Sequence, residues 1–148
     1  MFDTNVLISL LFFPSEKFQH MMEKIFSEHT LVLSSFVIEE LNAVTERKFP
    51  SRKKTVDQFL SHIAYEMVYT PKEMDNTLFQ IRDKNDYPVL YSAIVENVDV
   101  LVTGDKDFAE LTIEKPEILT PVELYERIKN YLVSLLPFIF ALSISRYY

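Results

Sequence analysis

Cysteine is absent from the 148 residues. The chain therefore has no disulfide framework, no thiolate zinc site and no cysteine nucleophile, and it suits a reducing, cytoplasmic compartment. Glycine occurs once, at Gly104. Loops that cradle phosphate in P-loop or dinucleotide-binding proteins need several glycines where backbone approaches the ligand, so nucleotide-cofactor chemistry of that kind is excluded. Histidine is scarce: His20, His29 and His62 fall in unrelated stretches without the spacing of a helical zinc site, and they read as structural. An excess of positive charge is also missing. The net charge of −7 has the wrong sign for a protein drawn to nucleic acid by its overall field, so a polyanion must meet a local patch. One basic stretch is present. Arg47, Lys48, Arg52, Lys53 and Lys54 place five cations in eight positions around Phe49 and Pro50. As a solvated helix-turn-helix surface it needs no ligand, and as a binding surface it would hold an RNA backbone.

No signal peptide is expected, because Asp3 interrupts the start and no basic region precedes the apolar Val6–Phe13 stretch. Repeats and low-complexity linkers are absent. What the chain has is a hydrophobic content of 48%, enough for the core of a single domain. Apolar runs and helical patterns alternate along it. Short strands are predicted at Thr30–Ser34, Glu66–Thr70, Asp99–Thr103 and Ile118–Leu119. Helices are predicted over Val6–Phe13, Glu16–Phe26 with Ser15 as cap, Ser35–Lys48, Lys53–Ile63 and Asp86–Glu96, with a last one opening at Pro121. Alternation of this kind implies right-handed crossovers and a mostly parallel sheet with helices on both faces, whose ligands bind at the carboxyl ends of the strands. The apolar run Tyr131–Ile144 is fourteen residues long and broken by Pro137. As a helix it would span only roughly 21 Å of a ~30 Å hydrocarbon core, so a buried or partner-covered tail is expected rather than a membrane anchor.

Four acids, Asp3, Glu40, Asp86 and Asp105, each sit at the carboxyl end of an apolar run or the start of a helical pattern. Each has an ordinary explanation by itself. Asp3 and Asp86 are placed to cap helices, Glu40 to be a surface charge like Glu39, and Asp105 with Asp107 to form a turn after Gly104. Together they belong to four separate elements whose predicted ends coincide, and unneutralised they would repel. Hard oxygen ligands gathered in this way suit a divalent cation, Mg²⁺ or Mn²⁺, which would remove that repulsion.

These segments resemble the PIN domain ribonucleases, in particular the branch that forms the toxin component of toxin–antitoxin pairs. Asp3-Thr4-Asn5-Val6-Leu7-Ile8-Ser9 is similar to the opening motif. Ser34-Ser35 through Glu40-Leu41 is similar to the second, Asp86-Tyr87-Pro88-Val89-Leu90 with Ala93 to the third, and Leu101-Val102-Thr103-Gly104-Asp105-Lys106-Asp107-Phe108 is the most specific match. The resemblance covers about residues 1–130 as one nuclease domain and leaves 131–148 as an apolar tail of unknown role. It implies a three-layer α/β/α fold around a central, mostly parallel sheet of four or five strands. It further implies one or two Mg²⁺ or Mn²⁺ ions, endonucleolytic cleavage of single-stranded RNA in the cytoplasm, a homodimer, a cognate antitoxin and no membrane. Asp3, Glu40, Asp86 and Asp105 carry over as catalytic metal ligands, with Asp107 as a further acid and Asn5 and Thr103 as supports; the basic stretch is assigned to RNA. One departure bears on the fold: only Met1 and Phe2 precede Asp3, so the first strand is expected to be cut short.

Two other readings stay open at this stage. A non-catalytic interaction domain would use the acids as caps and the apolar tail to bind a partner. An aspartate-nucleophile phosphohydrolase would also place an aspartate after its first strand, but it carries a second one two positions later, where this chain has Asn5.

Overall fold

The computed structural model describes residues 1–108 and 111–129, so the apolar tail from residue 131 lies outside the described part. The chain starts in extended backbone and enters α1 (Thr4–Phe12), followed by α2 (Glu16–Glu28), β1 (Val32–Ser34), α3 (Ser35–Lys48), α4 (Lys53–His62) and β2 (Glu66–Val68). After a long irregular stretch come α5 (Tyr87–Val95), β3 (Val100–Val102) and β4 (Glu117–Leu119), and residues 121–129 are helical. Local chemistry sets the boundaries. Ser15 accepts from Phe18 N at 3.3 Å and Ser34 from Val37 N at 3.2 Å, so hydroxyls cap α2 and α3. Phe49 closes α3, and Pro50, which has no N–H to continue the helix, opens a short 3₁₀ turn, Pro50–Arg52. Pro88 lies in the first turn of α5, where a missing N–H costs nothing. At the other end of α5, Asn97 takes a left-handed φ of 50°, and Val98 N bonds back to Ala93 O at 2.9 Å, turning the chain into β3.

The fold is α/β and every strand pairing among the described residues is parallel, as the alternation of elements predicts. β1 pairs with β2 in the register Val32–Glu66, and β3 pairs with β4 in the register Val100–Glu117. The sheet is smaller than the four or five continuous strands expected: among the described residues it falls into two two-stranded pieces. The first segment contributes a bridge rather than a named strand. Met1–Asp3 joins β3 through a single bridge, Phe2 to Val102, made by Val102 N to Met1 O at 2.9 Å and Asp3 N to Val102 O at 3.1 Å.

One hydrophobic core runs through the described residues. Leu7, Met21, Leu33, Val37, Leu41, Val56, Leu90 and Leu101 are each fully buried within it. α3 is the central helix, packed on α1, α4 and α5. Its inward stripe of Val37, Leu41 and Thr45 leaves Glu40 half-buried beside it and Glu39 exposed. No helix among the described residues is long and apolar enough to cross a membrane. Leu101 lies at the centre of β3, and deleting its side chain leaves a cavity that neighbours cannot fill. Leu101→Ala is expected to lower unfolding free energy by about 2–5 kcal/mol in a urea titration, against under ~0.5 kcal/mol for alanine at exposed Gln58.

Candidate metal centre

Four segments deliver acids to one end of the sheet. Asp3 follows the Phe2–Val102 bridge and is buried. Its Oδ1 accepts from Val6 N at 2.9 Å, capping α1, while its Oδ2 accepts the hydroxyl of Thr103, the residue that follows β3. Thr103 is itself buried, and its Oγ1 also accepts from Asp105 N at 3.1 Å. One hydroxyl therefore fixes the first strand's aspartate and the loop that carries the next acids. Asp105 Oδ1 accepts from Asp107 N at 2.8 Å, which closes the turn of the 3₁₀ segment Lys106–Phe108. Gly104 needs no left-handed backbone here, and a Cβ built on it would meet nothing within 4 Å.

Asp86 comes from the start of α5. It stands at the N-cap position, yet its side chain makes no cap bond, and its buried Oδ2 has no hydrogen-bond partner. Capping therefore accounts for one oxygen of Asp3 and for neither oxygen of Asp86. The carboxylates of Asp86, Asp105 and Asp107 lie within 4.8 Å of one another. Burial, reinforced by the charges of Asp105, Asp83, Asp3 and Asp107, pushes the Asp86 carboxyl up to about 6. Asp3 is also held above the ordinary carboxylate range. Burial is the main cause and Glu40 adds to it, against the bonds from Thr103, Val6 and Asn5. Glu40, on α3, accepts the Thr4 hydroxyl across the α1–α3 contact, which sets it on the Asp3 side of the cluster.

Asp3, Glu40, Asp86, Asp105, Asp107 and Thr103 thus converge, with Asp86, Asp105 and Asp107 as the tight group and Asp3 and Glu40 flanking it. Asn5 is exposed at the first turn of α1, and its carbonyl accepts from Ser9 Oγ at 2.9 Å. The basic stretch lies apart from the acids, at the end of α3 and the start of α4. Arg47, Lys48, Arg52 and Lys54 are exposed there, while Lys53 is engaged with Asp57 at 2.5 Å and Asn42 at 3.0 Å.

Two features escape sequence reasoning. Arg82 forms a two-pronged pair with Asp107, Nε to Oδ2 at 2.8 Å and Nη2 to Oδ1 at 2.7 Å. An arginine in a polar loop carries no periodic signal that could have found it. Ser92, buried on α5, bonds Thr70 Oγ1 at 2.8 Å, and Thr70 N bonds Ser35 Oγ at 3.0 Å. This chain of hydroxyls locks the helix of Asp86 against the start of the helix of Glu40.

The Asp86 carboxyl binds a proton more tightly in the folded chain than in the unfolded one, since its value is about 6 against 3.8. The folded state then holds more protons between those values, and stability falls as pH rises through that window and stays lower above it. Asp86→Asn should remove this decline. The difference in melting temperature between variant and native chain should grow across the window between those two values and level off above about pH 6. A pH-independent difference would contradict the burial of this carboxyl.

The PIN domain family model matches residues 1–107. Among solved structures, the chain is similar to one described as the crystal structure of VapBC2 from Rickettsia felis bound to a DNA fragment from their promoter. The TM-score is 0.65 at 21% identity, over 81% of this chain and 96% of that one. No curated protein matches the chain. With the four acid-bearing segments inside the matched span and the same α/β architecture, the chain belongs to the PIN domain family.

Proposed function

We propose that this PIN domain is a Mg²⁺- or Mn²⁺-dependent endoribonuclease that cuts single-stranded RNA, acting in the cytoplasm as the toxin of a toxin–antitoxin pair. PIN domains are generally nucleases. The observation that carries the metal is the tight group of Asp86, Asp105 and Asp107, which includes a buried carboxylate oxygen without a partner. Hard oxygen donors crowded at this spacing, one of them desolvated, are the donor set that a small divalent cation takes. Asp3, Glu40, Asp86 and Asp105 would hold it, with Asp107 as the fifth acid. When bound, the metal supplies an acidified water and charge neutralisation at the phosphodiester.

The chain's own residues contribute orientation and proton transfer. Thr103 fixes Asp3 and the Asp105 backbone together, Thr4 aims Glu40, and Asn5 stands exposed beside Asp3. One of the gathered carboxylates would assist deprotonation of the attacking water. The exposed cations Arg47, Lys48, Arg52 and Lys54, with Lys53 behind them, would hold the RNA backbone away from the acids. An antitoxin partner is suggested by the VapBC2 complex, whose fold this chain shares, and a homodimer is the assembly the family resemblance implies.

Cleavage of an unstructured RNA oligonucleotide should require Mg²⁺ or Mn²⁺ and stop in EDTA. Asp3→Asn and Asp105→Asn should each reduce it by more than about a hundredfold, beyond what removing a support behind a metal ligand costs, while circular dichroism stays native. Cleavage that persists in EDTA, or survives both substitutions, would contradict the mechanism. Neutralising Arg52, Lys53 and Lys54 together should flatten the salt dependence of RNA binding by about 0.7 in log–log slope for each phosphate no longer neutralised, with Mn²⁺ affinity unchanged. An unaltered slope would place the RNA elsewhere.

A further inference from the structure

The pair between Arg82 and Asp107 is lopsided: the arginine side chain is 85% exposed and the aspartate 10%. The guanidinium therefore lies on the solvent side of the acid group, and Asp107 on its inner side. Nε and Nη2 reach the two oxygens of the carboxylate at 2.8 and 2.7 Å, so the orientation of the guanidinium plane is fixed as well as its position. The other end of the side chain is anchored too. Ile81 packs on the core, and Asp83 tightens the loop that follows by accepting from Asn85 N at 2.9 Å and, through its carbonyl, from Asp86 N at 3.2 Å. Asp107 is held in turn by its N–H to Asp105 Oδ1 at 2.8 Å. One ion pair thus joins the segment that carries Asp86 to the segment that carries Asp105.

Stability does not account for a cation at this edge. An ion pair with so exposed a partner is screened by water and contributes little to folding. Among the described residues no other acid of the group is ion-paired. Position accounts for it better. The Asp107 carboxylate that carries the guanidinium lies within 4.8 Å of those of Asp86 and Asp105, so a phosphate drawn to a cation among these acids arrives beside Arg82. A guanidinium has five N–H donors on a planar frame and can hold a carboxylate on one edge while meeting a phosphate oxygen on another. Each carboxylate oxygen has two lone pairs, so Asp107 can hold the guanidinium and still face the cation.

We propose that Arg82 is a further catalytic residue, which donates to a non-bridging oxygen of the scissile phosphate, and that Asp107 aims it. This role rests on the nuclease reading. In the reaction the oxygen of the attacking water bonds to phosphorus and its proton passes to one of the gathered carboxylates. The bond from phosphorus to the leaving ribose oxygen breaks, and that oxygen takes a proton from solvent. Arg82 exchanges no proton; it meets the negative charge on the non-bridging oxygens, and it does so from a position set before substrate arrives.

The test uses the full chain, with Lys115→Ala, which breaks the exposed pair with Asp99, as the control. Arg82→Ala should lower kcat for an unstructured RNA by at least about a hundredfold and move KM by less than about threefold, while the control cleaves as the native chain does. Arg82→Lys keeps the charge, loses the fork and should fall between the two. Mn²⁺ affinity, measured by calorimetry, should hold or tighten in Arg82→Ala, since a competing cation is gone; a loss of about tenfold or more would make Arg82 a support of the metal ligands and overturn the proposal. Binding is read separately with inorganic phosphate. In the Mg²⁺-loaded chain the Arg82 Nε–H resonance, assigned by its loss in Arg82→Lys, should shift saturably with phosphate, and without Mg²⁺ it should stay in place. A parent chain that does not cleave, yet shows this Mg²⁺-dependent shift, removes the nuclease reading and leaves Arg82 as a phosphate ligand. A parent that cleaves while Arg82→Ala keeps its kcat, or a resonance indifferent to phosphate, overturns the role of Arg82 and leaves the nuclease reading standing.

Discussion

The site depends on the contact between Thr103 and Asp3. A hydroxyl at the end of β3 donates to a buried aspartate at the end of the first segment and accepts from the backbone of Asp105, so one side chain brings together residues a hundred positions apart. The backbone beneath it does the same through the Phe2–Val102 bridge. Without this pairing the acids of the first and last motifs would have no common floor. With it, Asp3 is desolvated, Asp86 is crowded, and folding itself creates a concentration of negative charge that a cation relieves.

That arrangement sets stability against function. Asp86 keeps a buried oxygen without a partner, and Asp107 is met by Arg82, a cation of the chain itself. An Arg–carboxylate pair with both prongs made is stronger than a single contact, but here the arginine is largely exposed and the pair is screened by water. Arg82 steadies one edge of the cluster and leaves its buried centre, Asp86, unneutralised. The hydroxyl chain from Ser92 through Thr70 to Ser35 holds α5 against α3, so Asp86 cannot easily withdraw from its neighbours.

Much of this was legible in the residues. Every predicted helix and strand forms, with ends moved by a few positions, because caps and breakers such as Ser15, Ser34, Pro50 and Pro88 act locally and are visible locally. The resemblance puts the acid of the second motif at Glu40 rather than Glu39, and the structure leaves Glu39 exposed while Thr4 bonds Glu40. Convergence of the acids could be inferred only from the rule that parallel strands present ligands at one end. What stayed hidden needs three-dimensional proximity: the Arg82–Asp107 pair, the Ser92–Thr70–Ser35 chain and the split of the sheet into two pairs.

The central claim is that folding gathers these carboxylates to hold a divalent metal. It is tested most directly by calorimetric titration of Mn²⁺ into the chain at a series of pH values. Because Asp86 holds its proton up to about pH 6, metal and proton compete for it. Saturable binding should strengthen from pH 5 to pH 7 and release protons near the lower end, and both effects should vanish in Asp86→Asn. Binding that is absent, or indifferent to pH and to that substitution, would contradict the account.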